Sequence, residues 1–192
     1  MMPQAKFNRT MAFRAEPGEG ENSRTVKLSF SSEEPYMRFF GNEILSHAPG
    51  ACDLTRLSEI GVVLFNHDRD KVIGKIVQCS IENNRGTAVV EFDDDEFSDV
   101  IFHKVKSGTL KGVSVGYMVD VWEEVSAGAY SQDGRFAGPC SVATRWTPFE
   151  ISIVSIPADP TVGVGRSAGE MTGLKLAESQ IKINRERFFG GV

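Results

Sequence analysis

The sequence predicts a mainly β protein with some helix (α+β), in the form of an antiparallel β-barrel with a few packed helices. Three observations carry that expectation. Short β-branched runs with a period of two recur through the middle of the chain. One segment shows a helical apolar stripe, and the regular strand–helix alternation of a doubly wound fold is missing.

In chain order, Val26-Lys27-Leu28-Ser29-Phe30 alternates apolar and polar residues, as a half-buried strand does. Gly61-Val62-Val63-Leu64-Phe65 reads as a buried strand that stops at Asn66-His67-Asp68. Val72 to Ile81 and Thr87 to Phe92 read as the two arms of a hairpin turning at Asn83-Asn84-Arg85-Gly86. Phe97, Val100, Ile101, Lys104 and Val105 mark a helical stripe. Asp93-Asp94-Asp95-Glu96 stand at its positive end and Gly108 follows its last turn, which suits both ends of a helix. Val113, Val115, Tyr117, Val119 and Val121 form the apolar face of a further strand, with Ser114, Gly116, Met118 and Asp120 on the other face. In the last clear strand Ile151 and Ile153 alternate with Glu150 and Ser152.

A chain of 192 residues suffices for one domain with tails. The breaker cluster Pro17-Gly18-Glu19-Gly20-Glu21-Asn22 predicts a flexible N-terminal tail over 1–25. Gly163, Gly165, Ser167, Gly169 and Gly173 predict a Gly/Ser-rich linker and C-terminal tail over 161–192, with room for a short helix from Leu174 to Phe189. The domain proper is expected over 26–160. A formal net charge of -5, with 21 basic residues scattered along the chain, argues against a nucleic-acid partner. No apolar run reaches the roughly 20 residues that span a bilayer, and the N-terminus has no signal-peptide core, so no membrane association is expected. Cys52, Cys79 and Cys140 are odd in number and far apart. They suit a reducing cytoplasm and form neither a disulfide framework nor a metal knuckle.

Gly112-Val113-Ser114-Val115-Gly116 is the first candidate for chemistry. It reads either as a serine that glycines expose to a substrate carbonyl or as a strand serine between bulge glycines. A serine nucleophile needs a base, and the chain has three histidines: His47, His67 and His103, all before Ser114. That order, and a strand rather than a helix after the serine, exclude an esterase or lipase of the α/β-hydrolase type. His103 falls on the solvated side of the helix and His47 in a loop entry. His67 sits where a buried strand ends, on a rigid element at the edge of the core. The acid that would orient its ring is Glu150, or less naturally Asp68 or Asp70. Metal readings of His67-Asp68 and of Asp93-Asp94-Asp95-Glu96 lack the further spaced ligands such sites need, so neither metal nor cofactor is expected. Gly112, Gly116 and Arg145 are open candidates for holding an oxyanion.

An ordered set of motifs now stands out. Phe65-Asn66-His67-Asp68 is followed by Gly74-Lys75-Ile76, the helix Phe102-His103-Lys104-Val105-Lys106-Ser107-Gly108, the segment Leu110 to Tyr117, and Glu150-Ile151-Ser152-Ile153-Val154-Ser155-Ile156-Pro157-Ala158-Asp159-Pro160. From about Val26 to Pro160 this set resembles the prohead serine proteases of tailed bacteriophages, which are related in fold to the herpesvirus capsid-maturation proteases. The resemblance implies a herpesvirus-protease-like barrel ringed by helices. It also implies a serine endopeptidase that cleaves scaffold, or the scaffold portion of the capsid protein, and commonly itself, inside the immature prohead in the host cytoplasm. Ser114 would be the nucleophile, His67 the general base and Glu150, at the start of E-x-S-x-V-x-x-P-A, the third member. The herpesvirus enzymes use a second histidine after the serine, where this chain has none. The major capsid protein and scaffold are the implied substrates, and a homodimer or assembly-dependent oligomer the implied state. Extended tails, which a protease can bind as an added strand, are candidate self-cleavage targets. The rival from another class is a catalytically inactive capsid assembly or scaffolding protein with the same fold.

Overall fold

Period-two patterning becomes strand throughout the middle of the chain. The structure, a computed structural model, describes residues 6–12, 16–17 and 23–156. Its elements are β1 (Lys6–Ala12), β2 (Glu16–Pro17), β3 (Thr25–Ser32), β4 (Tyr36–Arg38), β5 (Gly41–Leu45), α1 (Thr55–Ile60), β6 (Val62–Phe65), β7 (Asp68–Glu82), β8 (Arg85–Phe92), α2 (Glu96–Lys106), β9 (Gly112–Val125) and β10 (Cys140–Val154). The expected tail over 1–25 therefore contains a strand. β1 pairs antiparallel with β9 from Lys6 opposite Met118 to Ala12 opposite Gly112. The charge of Arg9 breaks the apolar alternation that would have marked this strand in the sequence. The expected C-terminal linker and tail over 161–192 lie outside the described residues.

The strands form a single sheet in the order β1-β9-β10-β6-β7-β8-β3-β2, with β5 also on β10 and β4 on β5. Most neighbours are antiparallel, but β10 runs parallel to β5 through Ser141–Ala143 and to β6 through Ile151–Ile153. The sheet curls as a half-barrel. Val26 and Leu28 of β3 share one core cluster with Val113 and Val115 of β9, so distant strands of the path bend toward each other. Among the described residues the path ends at β1 and β2 without closing. The expected antiparallel barrel is thus a mixed, open sheet, because alternation reveals a strand but not its partner's direction or the closure of an edge.

Helix α2 lies where the sequence puts it, with both ends satisfied. Asp95 Oδ1 accepts from the amides of Phe97 at 3.0 Å and Ser98 at 3.1 Å, so this acid is an N-cap. Gly108, at φ +75°, ends the helix: its amide donates to the Val105 carbonyl, and the Thr109 amide to that of Lys104. The buried stripe, however, is Ser98, Ile101, Phe102 and Val105, while Phe97 and Val100 are exposed. The core gathers Trp146, Tyr117, Phe30, Leu28, Leu45, Leu57, Ile73 and Ile151, each fully buried. Burial of one such aliphatic side chain stabilises by about 1.5–3 kcal/mol.

His47, expected in a loose loop, is instead locked in the core. Its Nε2 is 2.8 Å from Ser31 Oγ, its amide donates to Glu33 Oε1 at 2.6 Å, and its ring meets Trp146 edge-on. Burial lowers its pKa from 6.5 to about 4. Between those values the unfolded chain binds more protons than the folded one. The stabilisation is therefore complete above pH 6.5 and is lost as the pH falls through 4, a change on the order of 3 kcal/mol. Melting temperatures measured stepwise across that window should fall more steeply for the wild type than for His47→Gln, which keeps a polar group there but does not titrate. Parallel curves would show that His47 is not the buried titrating group.

Candidate active site

The ladder between β9 and β10 brings the first two candidate residues together. Ser114 lies opposite Ser152, and Gly116 opposite Glu150. Directly opposed residues share a sheet face, so Ser114, Ser152 and Glu150 all lie on the face away from Val113, Val115, Ile151 and Ile153. A bulge makes this possible. Pro148 opposes Tyr117 while Glu150 opposes the adjacent Gly116, which leaves Phe149 as an extra residue on β10. Were Phe149 in regular alternation instead of bulged, Glu150 would continue the core-facing row of Trp146 and Pro148.

The glycines flanking Ser114 are not bulges, for the ladder runs in unbroken register from Gly112 to Gly116. They are close approaches. A Cβ on Gly116 would stand 2.6 Å from Glu150 Cγ and 2.8 Å from the Phe149 ring, and one on Gly112 would stand 2.6 Å from the Val154 carbonyl oxygen.

His67 arrives from another part of the sheet. β6 and β7 are joined by the two-residue turn Asn66-His67, with φ +54° and +59° and Phe65 opposite Asp68, the geometry of a type I′ hairpin. Asn and His are among the non-glycine residues that accept positive φ. The turn is tied to β10: the Asn66 amide donates to the Ile153 carbonyl at 2.9 Å, and Asn66 Oδ1 accepts from the Ser155 amide at 2.9 Å and its hydroxyl at 3.3 Å.

These elements bring the three side chains into one hydrogen-bonded relay. Ser114 Oγ is 2.7 Å from His67 Nε2, and His67 Nδ1 is 2.5 Å from Glu150 Oε1. Ser152 Oγ stands 3.3 Å from the same Nδ1. With the ring proton on Nδ1 donated to the carboxylate, Nε2 is the lone pair facing the serine hydroxyl, the tautomer a general base needs. The His67 side chain keeps a quarter of its surface exposed, whereas Glu150 is nearly enclosed.

Ser114 is fully buried, and β1 covers it. The Ser114 hydroxyl has a second acceptor in the Arg9 carbonyl at 3.1 Å, and Thr10 Oγ1 donates to Ser114 Oγ at 3.0 Å.

Residues 23–175 match the family model of the caudovirus prohead serine protease. The chain belongs to that family. It is also 37% identical over 149 residues to the major capsid protein of Halomonas phage phiHAP-1, a match covering 76% of this chain but only 24% of that protein. The chain thus spans about a quarter of that relative's length. No solved structure matches it. Membership ties the chain to capsid maturation in tailed phages and to serine protease chemistry.

Within this member of the family the remaining candidates fall elsewhere. Asp68 is held by Lys71 at 3.0 Å and by the Asp70 amide at 3.0 Å. His103 is exposed and pairs with Asp99 at 3.4 Å. Arg145 opposes Val121, far down β10 from Ser152, a separation on the order of 20 Å at about 3.3 Å per residue. It is thereby removed as an oxyanion donor. No helix among the described residues is long and apolar enough to cross a membrane. Asn66, Ser152, the Phe149 bulge and the cover strand β1 went unread in the sequence. Only Asn66 carried a signal, since Asn followed by a second αL-tolerant residue between two strands is a weak type I′ signature.

Gly116→Ala should push the Glu150 carboxylate off His67 while the fold survives. The downfield imidazole Nδ1 proton resonance should move upfield by NMR, and any hydrolytic rate should drop at least tenfold. An unchanged resonance would show that Glu150 does not depend on the missing Cβ.

Proposed function

We propose that the chain is a serine endopeptidase of phage capsid maturation, which cleaves scaffold, or the scaffold portion of the capsid protein, and also itself. The single observation that supports this most is the Ser114–His67–Glu150 relay, with links of 2.7 Å and 2.5 Å, drawn from three separate parts of the chain. Ser114 Oγ attacks the scissile carbonyl as His67 Nε2 takes its proton. His67 then gives that proton to the leaving amine, and Glu150 stabilises the imidazolium in between. Water then repeats the cycle on the acyl-enzyme. The Halomonas phage relative is itself a major capsid protein, which makes such a protein the substrate of choice. The enzyme would act inside the prohead in the host cytoplasm, as a homodimer or assembly-dependent oligomer, with the herpesvirus-protease type of fold.

A second reading, a non-catalytic assembly protein, draws on the complete burial of Ser114 beneath β1. Against it, a chain with no use for catalysis has no reason to hold His67 in a positive-φ turn against both Ser114 and Glu150.

Co-expression with the capsid and scaffold genes, followed by intact mass spectrometry, tests the proposal. Wild type should shorten the substrate, and Ser114→Ala or His67→Ala should leave it whole, as expected for losses of about 10³-fold or more. Equal cutting by wild type and Ser114→Ala would reject the nucleophile. Proheads that assemble uncut, with no labelling of Ser114 by a fluorophosphonate, would favour the assembly protein.

A further inference from the structure

The strand that covers the nucleophile also fills two pockets on the inner face of the sheet. β1 runs antiparallel beside β9 with Thr10 opposite Ser114, so the Arg9 carbonyl is the main-chain acceptor at Ser114 Oγ, 3.1 Å away. Arg9 and Phe7 lie on the opposite face of the strand from Thr10. The buried Arg9 guanidinium donates to the Glu34 carbonyl and lies over the Tyr36 ring, in the field of the fully buried Glu43 carboxylate. Two residues earlier, Phe7 stacks on Tyr117 at 5.9 Å and meets Phe40 and Trp122 edge-on at 6.3 Å and 5.9 Å. Arg38 donates to the Asn8 carbonyl between them at 2.8 Å.

Two features mark this segment as a guest rather than a finished part of the core. Among the described residues Arg9 Nε and Nη1 are buried without a partner, whereas a permanent internal guanidinium normally has its donors paired. Among the described residues β1 is also an end strand with a single neighbour, lying where an incoming peptide would be added to the sheet and where it now excludes one from Ser114.

We infer that β1 is bound as a substrate is bound, and that the pockets under Arg9 and Phe7 set the cleavage specificity. The preferred substrate is an extended segment with arginine at the residue whose carbonyl meets Ser114 and an aromatic residue two positions before it. This rests on the proposed role of Ser114 and His67. Arg9–Thr10 is then a bond the enzyme cuts. Ser114 Oγ bonds to the Arg9 carbonyl carbon, the bond to the Thr10 nitrogen breaks, and the serine proton passes through His67 to that nitrogen. Water then releases Arg9 as a carboxylate. Cleavage also frees the edge of β9 beside Ser114 for other substrates.

The test offers the full-length enzyme a synthetic peptide with the sequence of residues 1–20 and locates cuts by mass spectrometry. All sequence changes are made in the peptide, so enzyme folding is not at stake. The peptide carries a built-in control, because Arg14 has Ala12 rather than an aromatic residue two positions before it. Cutting is expected between Arg9 and Thr10 in preference to the bond after Arg14. It should slow at least tenfold with Arg9→Ala and severalfold with Phe7→Ala, and be absent with Ser114→Ala enzyme. Cutting at other bonds, or at equal rates after Arg9→Ala, would overturn the inference. So would an uncut peptide while a fluorophosphonate still labels Ser114, which leaves the serine protease reading standing. Neither cutting nor labelling would overturn both.

Discussion

The register between β9 and β10 is the constraint on which the rest of the molecule depends. These are two of the longest strands, paired from Cys140 opposite Val125 to Val154 opposite Gly112, and their inner faces supply much of the core. The same ladder sets Ser114, Ser152 and Glu150 on the outer face. Side chains alternate with a period of two, so a slip by one residue would send the serine into the core and a valine to the histidine. Packing of Val113, Val115, Tyr117, Ile151 and Ile153 therefore fixes where the polar groups stand. Stability and site geometry rest on one set of contacts.

Onto that frame β6 and β7 deliver the imidazole by a turn rather than a long loop. A two-residue hairpin leaves little conformational freedom, and Asn66 removes more of it by bonding to the backbone on either side of Val154. His67 is thus placed by main-chain geometry before its own side-chain bonds form. A side chain held in this way spends little conformational entropy on reaching its partners. Parallel pairing of β6 with β10 brings the turn beside Glu150 and Ser152, which no antiparallel meander of neighbouring strands would do.

Behind the site lies a buried polar cluster that is unusual for a small β domain. Tyr117 donates to Glu43, and Arg38 donates to both Glu43 and the Tyr117 hydroxyl. Burial and the neighbouring carboxylate push the Tyr117 pKa well above its ordinary value, so the phenol stays protonated and donates. Such a network holds only if each charge keeps its partner, since an unpaired buried charge is far more costly than an absent pair. Its placement beneath β1, where an arginine and a phenylalanine enter, ties the interior of the sheet to the strand that covers Ser114.

Much of this was legible in the residues alone. Strands β3 and β6 to β9, the helix α2 with its acidic start and glycine stop, and the placing of His67 at a strand end with Ser114 and Glu150 on polar strand faces follow from local alternation and capping chemistry, whereas the pairing of the three as candidates rested on the order of motifs in the family resemblance. Those signals are local, because they arise from which face of an element is wet. What the tertiary structure alone decided is non-local: the parallel pairing of β10, the strand character of residues 6–12, the burial of His47, and the bulge at Phe149 that breaks the alternation and leaves Glu150 outward. A bulge or a strand partner leaves no periodic trace in the sequence, because its energy comes from residues a hundred positions away that reach it only once the sheet has curled.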